Sequence, residues 1–340
     1  MTARSTSRRR FDRAGRAVVV LAVLLGVWLV GFRDTGAAPV LPDTTARFSL
    51  DLEVVADTEH DDVVYAVEQR ARPFYRIFSF DPASGEVETV LTIEEDAIVF
   101  DIAIGPAGDT LAVGWASDHA IEGSGVSLLD LATGQLDEVV PASTGTYLTD
   151  LTWSPDGESV LATEVDRTGA AEQLSAVRVD LGTASVSTLL VDAVNPVQLG
   201  QDVYALPLDE DGARRTVAVV DAGVATVLPV DTGEDDLDHL LADAETNSLR
   251  VAVIDTIEEA TVTIGDAASA HGNHDTPSTW WAIPLDVPEA AEPLPWEPTI
   301  VYDSAVTADG VVYATVEGIS VGADDRLDLI ESRAIRFVTA

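Results

Sequence analysis

The chain of 340 residues contains neither cysteine nor lysine. Without cysteine the protein forms no disulfide framework, holds no Cys-ligated zinc and has no thiol nucleophile. Phosphate-binding loops, dinucleotide fingerprints and the Gly-x-Ser-x-Gly elbow of serine hydrolases are also missing from the sequence. The sequence therefore disfavours nucleotide-dependent and serine-hydrolase chemistry, and it predicts no cofactor other than a possible divalent cation.

Basic residues are few and are concentrated at the N-terminus. Residues 1–33 hold seven of the 19 arginines and one acidic residue, so the remainder has 12 arginines against 58 acids, a formal net charge of −46. Because such a surface repels phosphates, we expect no nucleic-acid partner. We interpret the acidity as a solubilising surface suited to high salt, with cation binding as the alternative.

One long hydrophobic run, residues 17–32, follows a basic segment, residues 1–16. The run is long for the core of a cleavable signal peptide and slightly short for a spanning helix. We favour a transmembrane signal anchor; cleavage near Ala37 or Ala38 is the alternative and would give a secreted protein. The arginines place residues 1–16 in the cytoplasm, which predicts a single-pass cell-membrane protein whose bulk is extracytoplasmic.

The stretch "LTWSPDGESVLATEVD", which begins at Leu151, predicts a β-hairpin. Pro155 sits at the second position of a turn whose φ it pre-sets, and Gly157 sits at the fourth, as type I turns favour. Apolar residues on both sides of the turn indicate short, largely buried strands. A weaker copy of the phrase, with Pro106 and Gly108 in the turn, lies one repeat upstream.

The hairpin phrase recurs along the chain with a period of 43 to 49 residues and one longer step of 63. Its second strands begin at Asp62, Thr110, Ser159, Asp202, Ser248 and Val311. A second hairpin phrase lies between the copies and carries an aspartate in the same place each time, at Asp81, Asp130, Asp180 and Asp221. We expect these carboxylates to accept backbone hydrogen bonds from residues two positions on. Two hairpins per period predict a four-stranded unit.

A four-stranded unit repeated about six times is typical of a β-propeller, in which radial stacking buries sheets that cannot cover both faces alone. The motif Trp153-Ser154-Pro155-Asp156-Gly157 resembles the blade turn of TolB-like propellers, and the repeat rhythm is also WD-repeat-like. The resemblance implies an all-β propeller of six four-stranded blades behind an N-terminal transmembrane or signal helix. Because propellers serve as binding platforms and as enzymes alike, it implies a fold more than an activity.

These patterns divide the chain into a cytoplasmic segment 1–16, an anchor or signal core 17–32, a linker 33–47 and a propeller 48–340. The long repeat step predicts an insertion at about 258–298. Within it His271, His274 and Asp275 are metal-ligand types at short spacing, so they are candidate metal ligands; a polar surface loop is the alternative. Trp280 and Trp281 beside it are candidates for a stacking surface, or for packing in the core.

Two further acidic phrases are read as turns rather than cation sites. "LDEDG", with Asp209 and Asp211, resembles the opening of a calcium loop, but Arg214 and Arg215 stand where oxygen ligands should follow. "TGEDDLDH", which includes Asp236 and Asp238, is interpreted as a solvated turn.

We expect a monomeric, membrane-tethered scaffold that binds a protein or a cell-envelope ligand on one propeller face. The alternative is a metal-assisted propeller hydrolase of the lactonase kind. That enzyme would need several Asp, Asn or His side chains to converge at the channel, and the chain contains only three asparagines, Asn195, Asn247 and Asn273.

Overall fold

The computed structural model describes the chain from the first strand of its first repeat onward, with gaps between several strands. The described residues are 52–56, 63–69, 75–81, 86–93, 98–116, 123–169, 171–230, 236–254, 278–294, 301–307, 310–321 and 327–339. All of them belong to the second of the two units into which the chain divides, Leu41–Ala340. Across these residues no helix has the length and apolar character that crossing a membrane requires. The predicted anchor at residues 17–32 lies outside the described residues.

The described strands form six antiparallel sheets, each built from consecutive strands. The first two sheets contain β1 (Leu52–Ala56), β2 (Val64–Gln69), β3 (Tyr75–Phe80) and β4 (Val87–Ile93), then β5 (Ile98–Ile104), β6 (Thr110–Ala116), β7 (Gly125–Asp130) and β8 (Leu136–Val140). The third and fourth contain β9 (Thr146–Trp153), β10 (Ser159–Asp166), β11 (Gln173–Asp180) and β12 (Ser185–Val191), then β13 (Ala193–Leu199), β14 (Asp202–Pro207), β15 (Ala218–Asp221) and β16 (Val224–Val227). The last two contain β17 (Asp236–Asp243), β18 (Ser248–Ile254), β19 (Ser278–Pro284) and β20 (Glu292–Pro293), then β21 (Val301–Thr307), β22 (Gly310–Val321) and β23 (Leu327–Thr339).

The predicted hairpin turn after Trp153 is confirmed, and its hydrogen bonds explain its sequence. Gly157 N–H donates to the Ser154 carbonyl at 2.9 Å, and Gly157 has a φ of +71°, which glycine adopts without strain. The Ser154 hydroxyl donates to Asp156 at 2.6 Å and accepts from Ser159 N–H at 3.0 Å. The upstream copy has the same backbone turn, in which Gly108 N–H donates to the Gly105 carbonyl. The two hairpins thus share the same backbone turn, but different side chains stabilise it.

The first strands of the six sheets, β1, β5, β9, β13, β17 and β21, are neighbours in that order, and β1 also lies against β21. Within each sheet the later strands pair outward in sequence order. The outer strands β4, β12 and β16 are mostly exposed, and β8 is partly buried to exposed. The sheets are therefore the blades of a closed propeller, with the first strand of every blade at the axis and the last at the rim.

The hydrophobic core is divided into layers between consecutive blades. One layer joins Val67 and Ile77 of the first blade to Leu111 of the second, and another joins Ala112 of the second to Val160 of the third. Two further layers lie between the third and fourth blades and between the fourth and fifth. This arrangement confirms that each sheet is stabilised by stacking against its neighbours, since a single sheet buries little by itself.

Two details of the predicted architecture are corrected. Five blades have four strands in the described part of the chain, but the last has three, β21 to β23, so the prediction of six four-stranded blades is wrong. The predicted insertion at about 258–298 also extends too far, because residues 278–284 form β19 and residues 292–293 form β20. Trp280 and Ile283 bury their side chains in the fifth blade, which explains why this segment belongs to the sheet.

Candidate binding site at the propeller axis

The axial strands carry a β-bulge at nearly the same place in each blade from the second to the sixth. The pairing register shifts beside Asp101 in β5, beside Asp150 in β9 and beside Asn195 in β13. It shifts again beside Asp238 in β17 and beside Asp303 in β21. Bulges re-aim side chains and interrupt the backbone ladder, and they concentrate near functional sites. An Asp or Asn therefore stands at the irregular point of every one of these axial strands.

The bulged backbone is satisfied by side chains from the preceding blade. The carboxylate of Asp101, which is buried, accepts from Leu151 N–H of the next blade at 2.5 Å and from its own neighbour Ile102 N–H at 2.7 Å. The Thr163 hydroxyl accepts from Asn195 N–H at 2.9 Å. A buried N–H without a partner costs about 1–3 kcal/mol, so these bonds hold adjacent blades in register. Asp101 thus links the axial strands β5 and β9, and Thr163 links β10 to the axial strand β13.

A second set of polar side chains, from the third, fourth and fifth blades, interacts near the axial strands. We call Asp150, Thr163, Arg214, Asp238 and His239 the axial cluster. Arg214 Nη1 lies 3.0 Å from Asp238 Oδ1, and the two side chains are 29% and 12% exposed. Asp150 interacts electrostatically with Asp238, His239 and Arg214. Since Asp150 belongs to the third blade and Asp238 to the fifth, these groups interact between blades rather than along one sheet.

Asp150 is the member of the cluster whose charge is disfavoured. Burial of the carboxyl group is the main cause that raises its pKa above the usual value, while a hydrogen bond from Thr163 partly opposes the rise. The residue is also held at a φ of +52°, in the left-handed region. Non-glycine residues adopt that region at a cost, and such positions cluster at functional sites. Asp150 therefore carries two separate energetic costs, the desolvation of its carboxylate and the left-handed conformation of its backbone.

The aspartates at the rim turns behave in the opposite way. Asp130 and Asp180 each accept from the backbone N–H and the hydroxyl of the threonine three residues on, and these bonds lower their pKa values. The predicted role as turn acceptors is confirmed there, although the donor lies three residues away instead of two. These carboxylates stabilise the fold when ionised, whereas Asp150 does not.

His239 adds a hydrogen-bonding atom that the fold leaves unused. Its Nε2 atom is buried, lies 3.6 Å from Asp238 Oδ2 and has no hydrogen-bond partner. The imidazole stacks on the indole of Trp280, with ring centroids 6.5 Å apart and planes 24° from parallel. Trp280 is only 2% exposed, so packing in the core is its role. The stacking fixes the imidazole and keeps Nε2 turned toward the cluster.

The sequence interpretation of "TGEDDLDH" is wrong for the residues that the structure describes. Asp236 and Asp238 lie in β17, and Asp238 is 9% exposed instead of solvated, because the axial strand begins there and not after it. "LDEDG" is a hairpin turn, as predicted: Asp209 accepts from Asp211 N–H and Ala213 N–H and pairs with Arg215.

The predicted metal ligands His271, His274 and Asp275 lie outside the described residues, and their role stays a prediction. Ile254, at the end of β18, pairs with Asp236 of β17 on one side and with Ser278, at the start of β19, on the other. Within the described part of the chain, no group of three or more His, Asp or Glu side chains is placed to hold a metal ion.

A signal for the axial cluster was present in the sequence. Each repeat has an Asp or Asn shortly before its first turn, at Asp51, Asp101, Asp150, Asn195, Asp238 and Asp303. Aligning the repeats on their second strands hides this position, because the bulges add a residue to the first strands. His239 and Arg214 give no such signal, since neither residue recurs in the other repeats.

Comparison with known proteins gives similarity in structure alone. No family model and no curated protein sequence matches the chain. A putative TolB from Agrobacterium tumefaciens has a TM-score of 0.52 at 14% identity, over 85% of this chain and 91% of that one. The described blades follow the same propeller arrangement. The chain has the fold of a TolB-like β-propeller.

Other propellers of unrelated roles are as similar to this TolB-like propeller. An oligogalacturonate lyase in complex with manganese has a TM-score of 0.51 at 12% identity, over 85% of this chain and 90% of the lyase. A chain of a mitotic checkpoint complex has a TM-score of 0.52 at 13% identity, over 90% of this chain and 95% of that one. Structural similarity at such low sequence identity shows the fold alone. The activity has to be inferred from the site itself.

Proposed function

We propose that this TolB-like propeller is an extracytoplasmic, membrane-tethered scaffold that binds a protein or a cell-envelope ligand at the propeller face that opens onto the axial cluster. The observation that supports the proposal is the partly buried Asp150, which is held at a φ of +52° beside the bulge of β9 and interacts electrostatically with Asp238, His239 and Arg214 of other blades. A carboxylate that is ionised despite the loss of its hydration lowers the stability of the folded protein. Such groups are typical of binding and catalytic sites. Folding alone gives no reason to place it there.

The charge of the axial cluster indicates the kind of group it binds. Two carboxylates, Asp150 and Asp238, stand against a single arginine, Arg214, and the remaining hydrogen-bonding atom is His239 Nε2. A lysine, arginine or amino group of a ligand would neutralise Asp150 and offer hydrogen bonds in return. The excess acidity of the whole extracytoplasmic part would also steer cationic partners toward the face.

The metal-assisted hydrolase has no separate observation in its favour. The likeness to the manganese-bound lyase shows the fold alone, and the candidate ligands His271, His274 and Asp275 lie outside the described residues. That activity therefore stays a sequence-based prediction.

Site-specific photo-crosslinking in intact host cells tests the binding proposal. We expect a photoreactive residue at position 239 to form a discrete covalent adduct with a bound partner, because position 239 belongs to the axial cluster. The same residue at Glu138, exposed on rim strand β8, serves as the matched control and should give no such adduct. Asp150→Asn should weaken the adduct at position 239, whereas Asp130→Asn in the β7–β8 rim turn should not. Equal adducts at both crosslinking positions would contradict an axial binding site.

Fractionation of cell membranes tests the proposed tether. We expect the full-length chain to stay with the membranes after high-salt and alkaline washes, because residues 17–32 form an uncharged run of spanning character. Deletion of residues 1–36 should give soluble protein. Recovery of a mature chain that begins near Ala38 would instead show a cleaved signal and a secreted protein.

A further inference from the structure

The rim strands of the blades differ sharply in how they protect their free edges. A rim strand pairs on one side only, and proteins usually guard such an edge with charges, proline or shortness. Rim strand β4 carries Glu88, β8 carries Asp137 and Glu138, and β20 consists of Glu292 and Pro293. The last strand, β23, contains two acidic residues and two arginines.

The rim strands of the third and fourth blades have no such guard. β12 reads Ser-Val-Ser-Thr-Leu-Leu-Val and β16 reads Val-Ala-Thr-Val, without a charge or a proline. The uncharged stretch around β12 runs from Leu181 to Val191, in a chain where 23% of residues are charged. Exposed large aliphatic side chains concentrate on the same two strands: Val186 is 39%, Val191 47%, Val224 64% and Val227 54% exposed.

The two unguarded edges are neighbours. A Cβ atom built on Gly223, in the β15–β16 turn, would lie 3.8 Å from the carbonyl oxygen of Leu189 in β12. A bulge at Leu189 interrupts β12, but equivalent bulges occur at Val90 in β4 and Val139 in β8, so bulging does not distinguish the edges. The stretch Ser185–Thr188 pairs regularly with β11, and among the described residues no strand pairs with its outer side.

We propose that the edge of β12 is a docking strand for an extended segment of a partner protein, which pairs with Ser185–Thr188 as an added strand. Alternate aliphatic side chains of the segment would cover Val186 and Val191, which is the usual division of labour in strand addition. We infer basic residues at both ends of the segment, because exposed aspartates flank the edge at Asp180, Asp192 and Asp221.

The same aspartates argue against a second copy of this chain as the occupant. Antiparallel pairing of β12 with β12 of another copy would bring Asp180 of one chain toward Asp192 of the other. Both chains also carry a large negative charge, which adds general repulsion at low salt. A basic-ended partner removes both penalties.

Binding of a defined peptide to the full-length chain in detergent tests the proposal. The probe is a fluorescent peptide, Arg-Arg-Thr-Val-Thr-Val-Thr-Val-Arg-Arg, measured by fluorescence anisotropy. Its comparator is the same peptide with alternate backbone amides N-methylated, which keeps its charge but prevents strand pairing. We expect the comparator to bind at least about tenfold more weakly, since strand addition depends on main-chain hydrogen bonds.

Protein variants locate the binding edge. Val186→Lys with Val191→Lys should weaken the probe by about tenfold or more, because the lysines guard the edge and repel the arginines. Val87→Lys on β4 is the matched control for Val186→Lys alone: each adds one positive charge at an exposed rim valine, and Val87→Lys should change affinity by less than about twofold. Thermal unfolding of each variant confirms that it is folded.

Three results would overturn the proposal. The first is equal binding of the normal and N-methylated peptides, which would indicate simple charge attraction. The second is equal weakening by Val87→Lys and by the β12 variants. The third is a dimer of the unliganded chain that Val186→Lys dissociates, as measured by sedimentation equilibrium, because the occupant would then be a second copy.

Discussion

Asp101→Ala is expected to lower the free energy of unfolding by about 3 kcal/mol. Its carboxylate is buried at 9% exposure and accepts two backbone N–H groups, one of them from Leu151 in the next blade. The substitution leaves both donors without this acceptor and removes a link between two axial strands. Chemical denaturation monitored by tryptophan fluorescence measures the loss.

Asp109→Ala is the control for Asp101→Ala. Asp109 lies near the same hairpin, but it is exposed and its side chain accepts only from the hydroxyl of Thr110. We expect a change of less than about 0.5 kcal/mol, as is usual for surface substitutions. Similar losses in the two variants would show that the bulge of β9 does not depend on the Asp101 carboxylate.

Trp280→Ala should destabilise the protein by about 4 kcal/mol, which is the largest effect we expect from one side chain. Trp280 is 2% exposed, and its indole supports the imidazole of His239. Its removal leaves a large cavity in the fifth blade beside the axial cluster. Trp280→Phe should recover part of the loss by filling part of that cavity.

The adjacent residue gives the matched comparison. Trp281 points to the opposite side of β19, where it is partly exposed and packs against the layer between the fourth and fifth blades. Trp281→Ala should therefore cost about half as much or less. Equal losses would contradict the assignment of Trp280 to the core.

The propeller could be predicted from the sequence because its signals are local and repeated. The Pro155 and Gly157 turn depends on φ preferences of single residues, and the alternation of apolar strands with turns repeats in each blade. The three strands that the described residues form in the last blade, and the start of β19, could not be predicted from the repeat period. Both depend on packing, as the burial of Trp280 and Ile283 shows.

The recurring Asp or Asn of the first strands could be found in the sequence, but the interaction of Asp150 with Asp238 could not be predicted, for a physical reason. Asp150 and Asp238 stand 88 positions apart and meet only because the blades close into a ring. In an acidic chain, no single aspartate stands out by composition. "TGEDDLDH" was mistaken for a solvated turn because strand β17 begins inside a run of acids, where local charge argues for exposure. The closure of the blades into a ring buries Asp238 despite the local preference of an acidic segment for exposure.

The claim that Asp150 is kept for binding rather than for folding is tested most directly by the pH dependence of unfolding in Asp150→Asn. Burial raises the pKa of Asp150 in the folded protein above its unfolded value. Ionised Asp150 therefore lowers stability at neutral pH, and this loss disappears as pH falls through the folded pKa toward the unfolded one. Asparagine keeps an acceptor for Thr163 without the charge, so the variant should be more stable than the wild type at pH 7. The difference should vanish below the ordinary aspartate pKa, about 3.9. A variant that is less stable than the wild type at pH 7 would contradict the account, because Asp150 would then be a structural acceptor like Asp101.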